Sequence, residues 1–278
     1  MMTIQARIWR IALYAFLFAV TALVLFPILW MVLTSIKPER EIYSFVPKWL
    51  PTKIDWSHYR VVWFEKNFWL YFLNSIFVAS VTALVSTVVA TLGGYALARF
   101  SFRGRTVLST LVLMIYLVPI ILLALPFYLA LSAIGLFDTR LGLILAVSTY
   151  AVPFAVWVLR GFFSQIPPEI EEAAMVDGAS RLGALYWVVL PVAVPGILAT
   201  ALFAFILAWD DYLFALIVIS SDDLRTLPLA IGLLAGDYLV SDGQMMAMGT
   251  ITTLPIAIVY LIFQRFFISG LTSGSVKG

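Results

Sequence analysis

Residues 167–179 read Pro-Pro-Glu-Ile-Glu-Glu-Ala-Ala-Met-Val-Asp-Gly-Ala, and nine residues later the chain continues Val-Leu-Pro-Val-Ala-Val-Pro-Gly at 189–196. This is a polar, helix-forming insertion in a chain that is otherwise almost continuously apolar. Pro167 and Pro168 suit a helix start, where the missing amide hydrogen costs nothing. Glu169, Glu171 and Glu172 lie in or near the first turn, where negative charge is favoured. Ala173, Ala174 and Met175 are strong helix formers, and Gly178 after Asp177 is a natural stop. The pattern predicts a helix of about ten residues, then a turn, with Ser180 able to cap a second helix toward Pro191. Ile170, Ala173 and Ala174 share one face. A helix this short is marginal alone in water. Local physics leaves two readings: an ordinary polar loop with a helical turn, or a helix whose face meets a partner.

The surrounding composition decides where this stretch sits. Of 278 residues, 63% are hydrophobic and only 12% charged, half the charge of a soluble domain. The mean hydropathy is +1.04. Such a chain cannot cover itself with polar surface and is read as an integral membrane protein. A net charge of +2 gives no basic field for nucleic acid. With no cysteine and one histidine, His58, a zinc site of the usual kind is excluded. His58 lies in a polar segment and reads as a surface residue.

About 20 apolar residues cross a bilayer. Six runs qualify: 11–33, 71–98, 107–131, 141–160, 192–219 and 246–268. The first is too long for a secretory signal and is read as a retained span. All six should be helical, because lipid offers the backbone no partners. Pro119 and Pro126 fall in the third run, Pro153 in the fourth, Pro195 in the fifth and Pro255 in the sixth, which predicts kinked helices. Residues 37–69 carry four tryptophans among charges and read as an interfacial segment, helical around 57–66. Residues 220–244 read as a polar outer loop.

Lysine and arginine set the orientation. With the N-terminus inside, nine basic residues lie inside and eight outside, but six of those eight fall in the single 37–69 segment. The remaining short loops count nine against two. The N- and C-termini are therefore expected in the cytoplasm, with the 167–196 stretch beside them.

The fifth run ends in Trp209-Asp210-Asp211-Tyr212. Intramembrane acids usually face a cavity or a partner, whereas Trp and Tyr also mark the membrane boundary; both readings stand. Asp210 and Asp211 point about 100° apart on a helix, so they cannot share a proton as a catalytic dyad. No phosphate-binding loop of the G-x-x-x-x-G-K-[ST] type occurs. ATP chemistry by that device must come from another chain.

Glu172-Ala173-Ala174, three residues, Gly178, nine residues, then Val188-Val189-Leu190-Pro191 resembles the EAA motif of ABC importer permeases, with Val188 where the family prefers isoleucine. Asn74-Ser75, Gly94-Tyr95-Ala96-Leu97-Ala98-Arg99, Gly135-Leu136-Phe137-Asp138-Thr139, Trp209-Asp210-Asp211-Tyr212 and the tail Gly270–Gly278 are similar to MalG-type permeases of carbohydrate importers. The resemblance covers essentially the whole chain. It implies an all-α integral membrane fold of six transmembrane helices, the type I (MetI-like) permease fold, as a single domain over 1–278. The core would be 71–268, with a cytoplasmic EAA loop at 161–191.

The same resemblance implies a location in a bacterial or archaeal cytoplasmic membrane and no catalysis by the chain itself. ATP and Mg would be bound by two partner ATPase subunits, and no metal or cofactor by this chain. A homologous second permease, an extracytoplasmic solute-binding protein and the lipid bilayer would complete the surroundings. Glu172, Ala173, Ala174, Asp177 and Gly178 would couple to the ATPase. Asn74, Tyr116, Trp209, Asp210, Asp211 and Tyr212 are the candidates for the solute path. A disaccharide or oligosaccharide is the expected cargo. The alternatives are a glycerol-phosphate ester, or a self-contained proton-coupled transporter using Asp210 or Asp211.

Overall fold

The structure, a computed structural model, describes residues 4–237 and 239–272. Residues 273–278 of the tail motif lie outside the described residues. The helices in chain order are α1 (Ile4–Ser35), α2 (Glu39–Ile42), α3 (Ser57–Arg60), α4 (Phe68–Arg99), α5 (Arg105–Leu117), α6 (Ile120–Ala133), α7 (Arg140–Gln165), α8 (Pro168–Val176), α9 (Arg181–Ala184), α10 (Leu190–Trp209), α11 (Leu213–Val218), α12 (Leu227–Leu234) and α13 (Asp242–Thr272). Five helical stretches among the described residues are long and apolar enough to span a membrane, or six with α5 and α6 counted as one broken span.

The prolines sort themselves. Pro27, Pro126, Pro153, Pro195 and Pro255 all lie inside helices that continue through them. The third run breaks at a proline: α5 and α6 meet at 96°. Val118 there is extended (φ −69°, ψ 126°), the conformation a following proline favours. The expected single kinked span over 107–131 is thus two helices joined at a corner.

The chain divides into two compact units, one of residues up to Phe68 with Leu233–Thr253, the other of Trp69–Gly232 with the residues from Leu254 on. In the first unit α1 leaves most of its apolar side chains exposed, and its end is tied to the interfacial segment. The Trp30 and Trp49 rings meet edge to face at 5.5 Å. The Lys37 ammonium lies 4.1 Å from the centre of the Trp30 ring and donates to the Lys48 carbonyl at 2.7 Å. The helical expectation around 57–66 holds as α3 followed by a π-helical turn, Val61–Glu65. His58 corrects the surface reading. It is buried, with Nε2 2.9 Å from the Lys37 carbonyl oxygen and its ring against Gly243.

The second unit is built on α4, α7 and α10. Tyr95, Leu159, Phe163, Val189 and Ala193 are among the buried residues of its core. At Gly94 the helices pack backbone to backbone: a Cβ there would lie 2.9 Å from the Arg160 nitrogen. Gly196 similarly receives the Phe162 ring. The fifth run is helical up to Trp209 and then stops. Asp211 accepts from the Ala215 and Phe214 amides at 3.0 and 3.4 Å and starts α11. The loop expected over 220–244 is also corrected. Leu227–Leu234 forms α12, with Leu227, Leu229 and Ala230 buried. The four aspartates around this apolar octet set the polar character of the whole segment.

Candidate functional site

The 167–196 stretch folds as its residues dictate. Pro168 occupies the first turn of α8 beside Glu169 and Glu171. The helix ends where Gly178 takes φ +95°, a conformation that costs glycine least. The Gly178 amide donates to Met175 at 3.1 Å and the Ala179 amide to Ala174 at 3.0 Å, satisfying carbonyls a helix end leaves free. Ser180 then accepts from the Gly183 amide at 3.1 Å and caps α9. The connection runs through a π-helical turn, Leu185–Val189, into α10.

Of the expected coupling residues, Glu172, Ala173, Asp177 and Gly178 are exposed and Ala174 is half-buried. Val176 and Leu182 are exposed beside them. An exposed apolar surface with a carboxylate at its edge is what a docking face requires. The neighbouring Glu171 does the opposite. It is 5% exposed, accepts from Arg99 Nε at 2.9 Å and takes the Tyr95 hydroxyl on its other oxygen. Sequence reasoning missed Glu171, Tyr95 and Arg99. The available signals were the i, i+4 spacing of Tyr95 and Arg99, which places them on one helix face, and a glutamate about 100° around α8 from Glu172.

The solute-path candidates fall in separate surroundings. Asn74 is buried. Its amide donates to the carbonyls of Asp223 and Arg225 at 2.8 and 2.9 Å, and its carbonyl accepts from Arg140 Nε at 3.0 Å. Ser75 Oγ accepts from the Leu227 amide at 2.8 Å. Asn74 and Arg140 also line a cleft of about 530 Å³ with Leu73, Phe77 and Ser80. Tyr116 stacks on Tyr150 at 4.9 Å and lies 5.0 Å from Phe154. Trp209 is buried between Phe72 and Phe205. Asp210 is exposed, Asp211 accepts from two amides at the start of α11, and Tyr212 lies against Gly232.

Asp138 closes the same end of this unit. Its carboxylate accepts from the Ser220 and Ser221 amides at 2.8 and 2.9 Å and from the Ser221 hydroxyl. The Ser221 hydroxyl, then its amide, hold the Asp138 carboxyl below the usual carboxylate range.

Residues 90–273, which include α8, Glu171 and the solute-path candidates Tyr116 and Trp209 to Tyr212, match the family described as the binding-protein-dependent transport system inner membrane component. The chain belongs to this family. The permease is 38% identical over 282 residues to the inner membrane ABC transporter permease protein YcjP of Escherichia coli (strain K12), covering 100% of both chains. It is 37% identical over 256 residues to the trehalose transport system permease protein SugB of Mycobacterium tuberculosis, covering 91% of this chain and 93% of that one. Its fold matches a chain in the crystal structure of a bacterial ABC transporter involved in the import of the acidic polysaccharide alginate. The TM-score there is 0.79 at 26% identity, over 96% of this chain and 99% of the other. The MalG-type resemblance and the ABC importer permease fold are thereby established, and the permease is a multi-pass membrane protein.

Proposed function

We propose that this permease moves a sugar, a disaccharide or oligosaccharide, inward across the cytoplasmic membrane by alternating access, as one of two homologous permeases above two ATPase subunits. The exposed Glu172, Ala173 and Val176 side of α8 carries this reading: a small-residue face beside a carboxylate fits a groove with a basic residue. Ala173 and Ala174 allow close approach, Asp177 and Gly178 shape the exit, and Glu172 supplies the charge. ATP and Mg belong to the partner subunits, which draw the coupling helices together. The permease makes and breaks no covalent bond. Both termini face the cytoplasm, and the 220–244 segment meets the solute-binding protein outside. The trehalose permease among the relatives supports a sugar cargo.

Within the membrane the Asn74–Arg140 cleft and the Tyr116 and Trp209 aromatic clusters, with Asp210, Asp211 and Tyr212 nearby, offer hydrogen-bonding groups and ring faces. Arg140 in that cleft also keeps a glycerol-phosphate ester in view, because guanidinium pairs well with phosphate. The test is a binding panel on the cognate solute-binding protein, using trehalose, maltose, chitobiose, longer oligosaccharides and glycerol 3-phosphate, followed by uptake into vesicles. Sugar uptake that requires the ATPase is expected. Uptake driven by a proton gradient without the ATPase overturns the reading, and exclusive binding of glycerol 3-phosphate replaces the sugar.

A further inference from the structure

Glu171 occupies the one place on α8 where a polar side chain turns inward. The residue is 5% exposed. One oxygen accepts from Arg99 Nε at 2.9 Å, and the other takes the Tyr95 hydroxyl. Arg99 uses a second nitrogen, Nη2, to hold the Ile166 carbonyl at 2.9 Å, just before α8 begins. A buried ion pair of this kind resists separation, because parting it strands a charge away from water.

The receiving end of α4 is itself fixed. The Tyr95 ring packs edge-on against Phe100 and Phe163, each at 5.9 Å. One residue earlier, Gly94 brings the α4 backbone onto that of α7. Arg105 donates to the Leu97 and Ala98 carbonyls at 2.7 and 3.2 Å, closing the last turn of α4. The Arg181 guanidinium lies 5.3 Å from the centre of the Phe100 ring. A displacement of α8 therefore cannot be absorbed by a loose loop; it must pull on a 32-residue helix. Glu172, the adjacent residue, points to solvent. The two glutamates divide the helix into a docking face and an anchoring face.

The geometry points to Glu171 as the positioning residue that carries the movement of α8 into α4, with Arg99 and Tyr95 as its receivers. This rests on the docking reading of α8 given above. Docking and transmission are separable in the assembled importer. The chain has no native cysteine, so Val176→Cys on the exposed end of α8 gives a single thiol for crosslinking to the ATPase. Crosslinking reports docking. ATP hydrolysis stimulated by the binding protein, loaded with the sugar the panel selects, reports transmission.

In that background Glu171→Gln and Arg99→Gln each keep crosslinking within twofold of the parent and lower stimulated hydrolysis tenfold or more. The exchanged pair, Glu171→Arg with Arg99→Glu, exceeds either single variant at least threefold, since the tyrosine hydroxyl can accept as well as donate. Stimulation that stays within tenfold of the parent in the single variants overturns the inference. So does joint loss of crosslinking and stimulation, which reduces Glu171 to shaping the docking surface, and so does an exchanged pair no better than the singles. A parent that fails to crosslink at all overturns the docking reading, and this inference falls with it.

Discussion

Gly93 and Gly94 are neighbours on α4, and the structure assigns them opposite responses to one added methyl group. At Gly94 a Cβ would lie 2.9 Å from the Arg160 nitrogen, 3.0 Å from the Leu159 Cβ and 3.1 Å from the Leu159 carbonyl carbon. Two of these are backbone atoms of a packed helix, so no rotamer clears them. The shortfall from ordinary van der Waals contact is about 0.5 Å. Overpacking of this kind costs ~2 kcal/mol, while replacing glycine by alanine within a helix returns ~1 kcal/mol on aqueous scales. Gly94→Ala is therefore expected to lose about 1 kcal/mol net. At Gly93 the nearest atom is Val156 Cγ2 at 3.4 Å, an ordinary contact with a side-chain tip, and Gly93→Ala keeps the gain. The two variants should differ by ~2 kcal/mol, a separation in melting temperature on the order of 5 °C. Tryptophan fluorescence during a thermal ramp in detergent reads this. Melting temperatures within a degree of one another, or a less stable Gly93→Ala, would refute the backbone-contact account of this helix pair. Gly94→Ala should also weaken stimulated hydrolysis, because Tyr95 moves with it.

Gly243→Ala should destabilise the first unit by ~1–3 kcal/mol, since its Cβ would lie 2.5 Å from two atoms of the buried His58 ring. Adding His58→Ala should recover part of that loss, and a strictly additive double-mutant cycle by limited proteolysis of residues 37–66 would refute the collision. The Asp138 carboxyl is held below its usual range, first by the Ser221 hydroxyl. A depressed folded value means the stabilisation is complete above the unfolded value and is lost as pH falls through the folded one. Asp138→Asn should lose ~1 kcal/mol at pH 7, discounted for its partial exposure, and should flatten the fall in melting temperature below about pH 4; parallel curves would refute it. Gly178→Ala should cost ~1–2 kcal/mol in the turn after α8 from backbone strain alone, because nothing lies within 4 Å of its Cβ. Gly178→Asn should cost less, and crosslinking from position 176 should rank the three residues Gly, Asn, Ala; any other order counts against the strain account.

What the sequence disclosed and what it hid divide by the distance along the chain to each residue's partner. Pro168, Gly178 and Ser180 were read correctly, and their partners lie within four residues: Ser180 caps Gly183, and Gly178 bonds Met175. The apolar runs were legible for the same reason, since a spanning helix satisfies its own backbone. His58 was misread as exposed, and its partner, Lys37, is 21 residues away. Asn74 was read as a candidate for the solute path; its three bonds reach residues 66 to 151 positions distant. Glu171 and Glu172 could not be told apart, because the choice between them is made by Arg99, 72 residues earlier. Pro119 breaks a helix while Pro126, Pro153, Pro195 and Pro255 do not, and what rescues a proline is the packing of its neighbours. Asp211 is the exception to this division: it was left between a membrane path and the membrane boundary, yet it serves amides only three and four residues on. In a chain with 12% charged residues, a polar side chain is conspicuous whether it serves the solute or the fold. Asn74 and Asp211 each already serve the fold through the bonds they make, whereas the exposed Glu172 is left available to a partner.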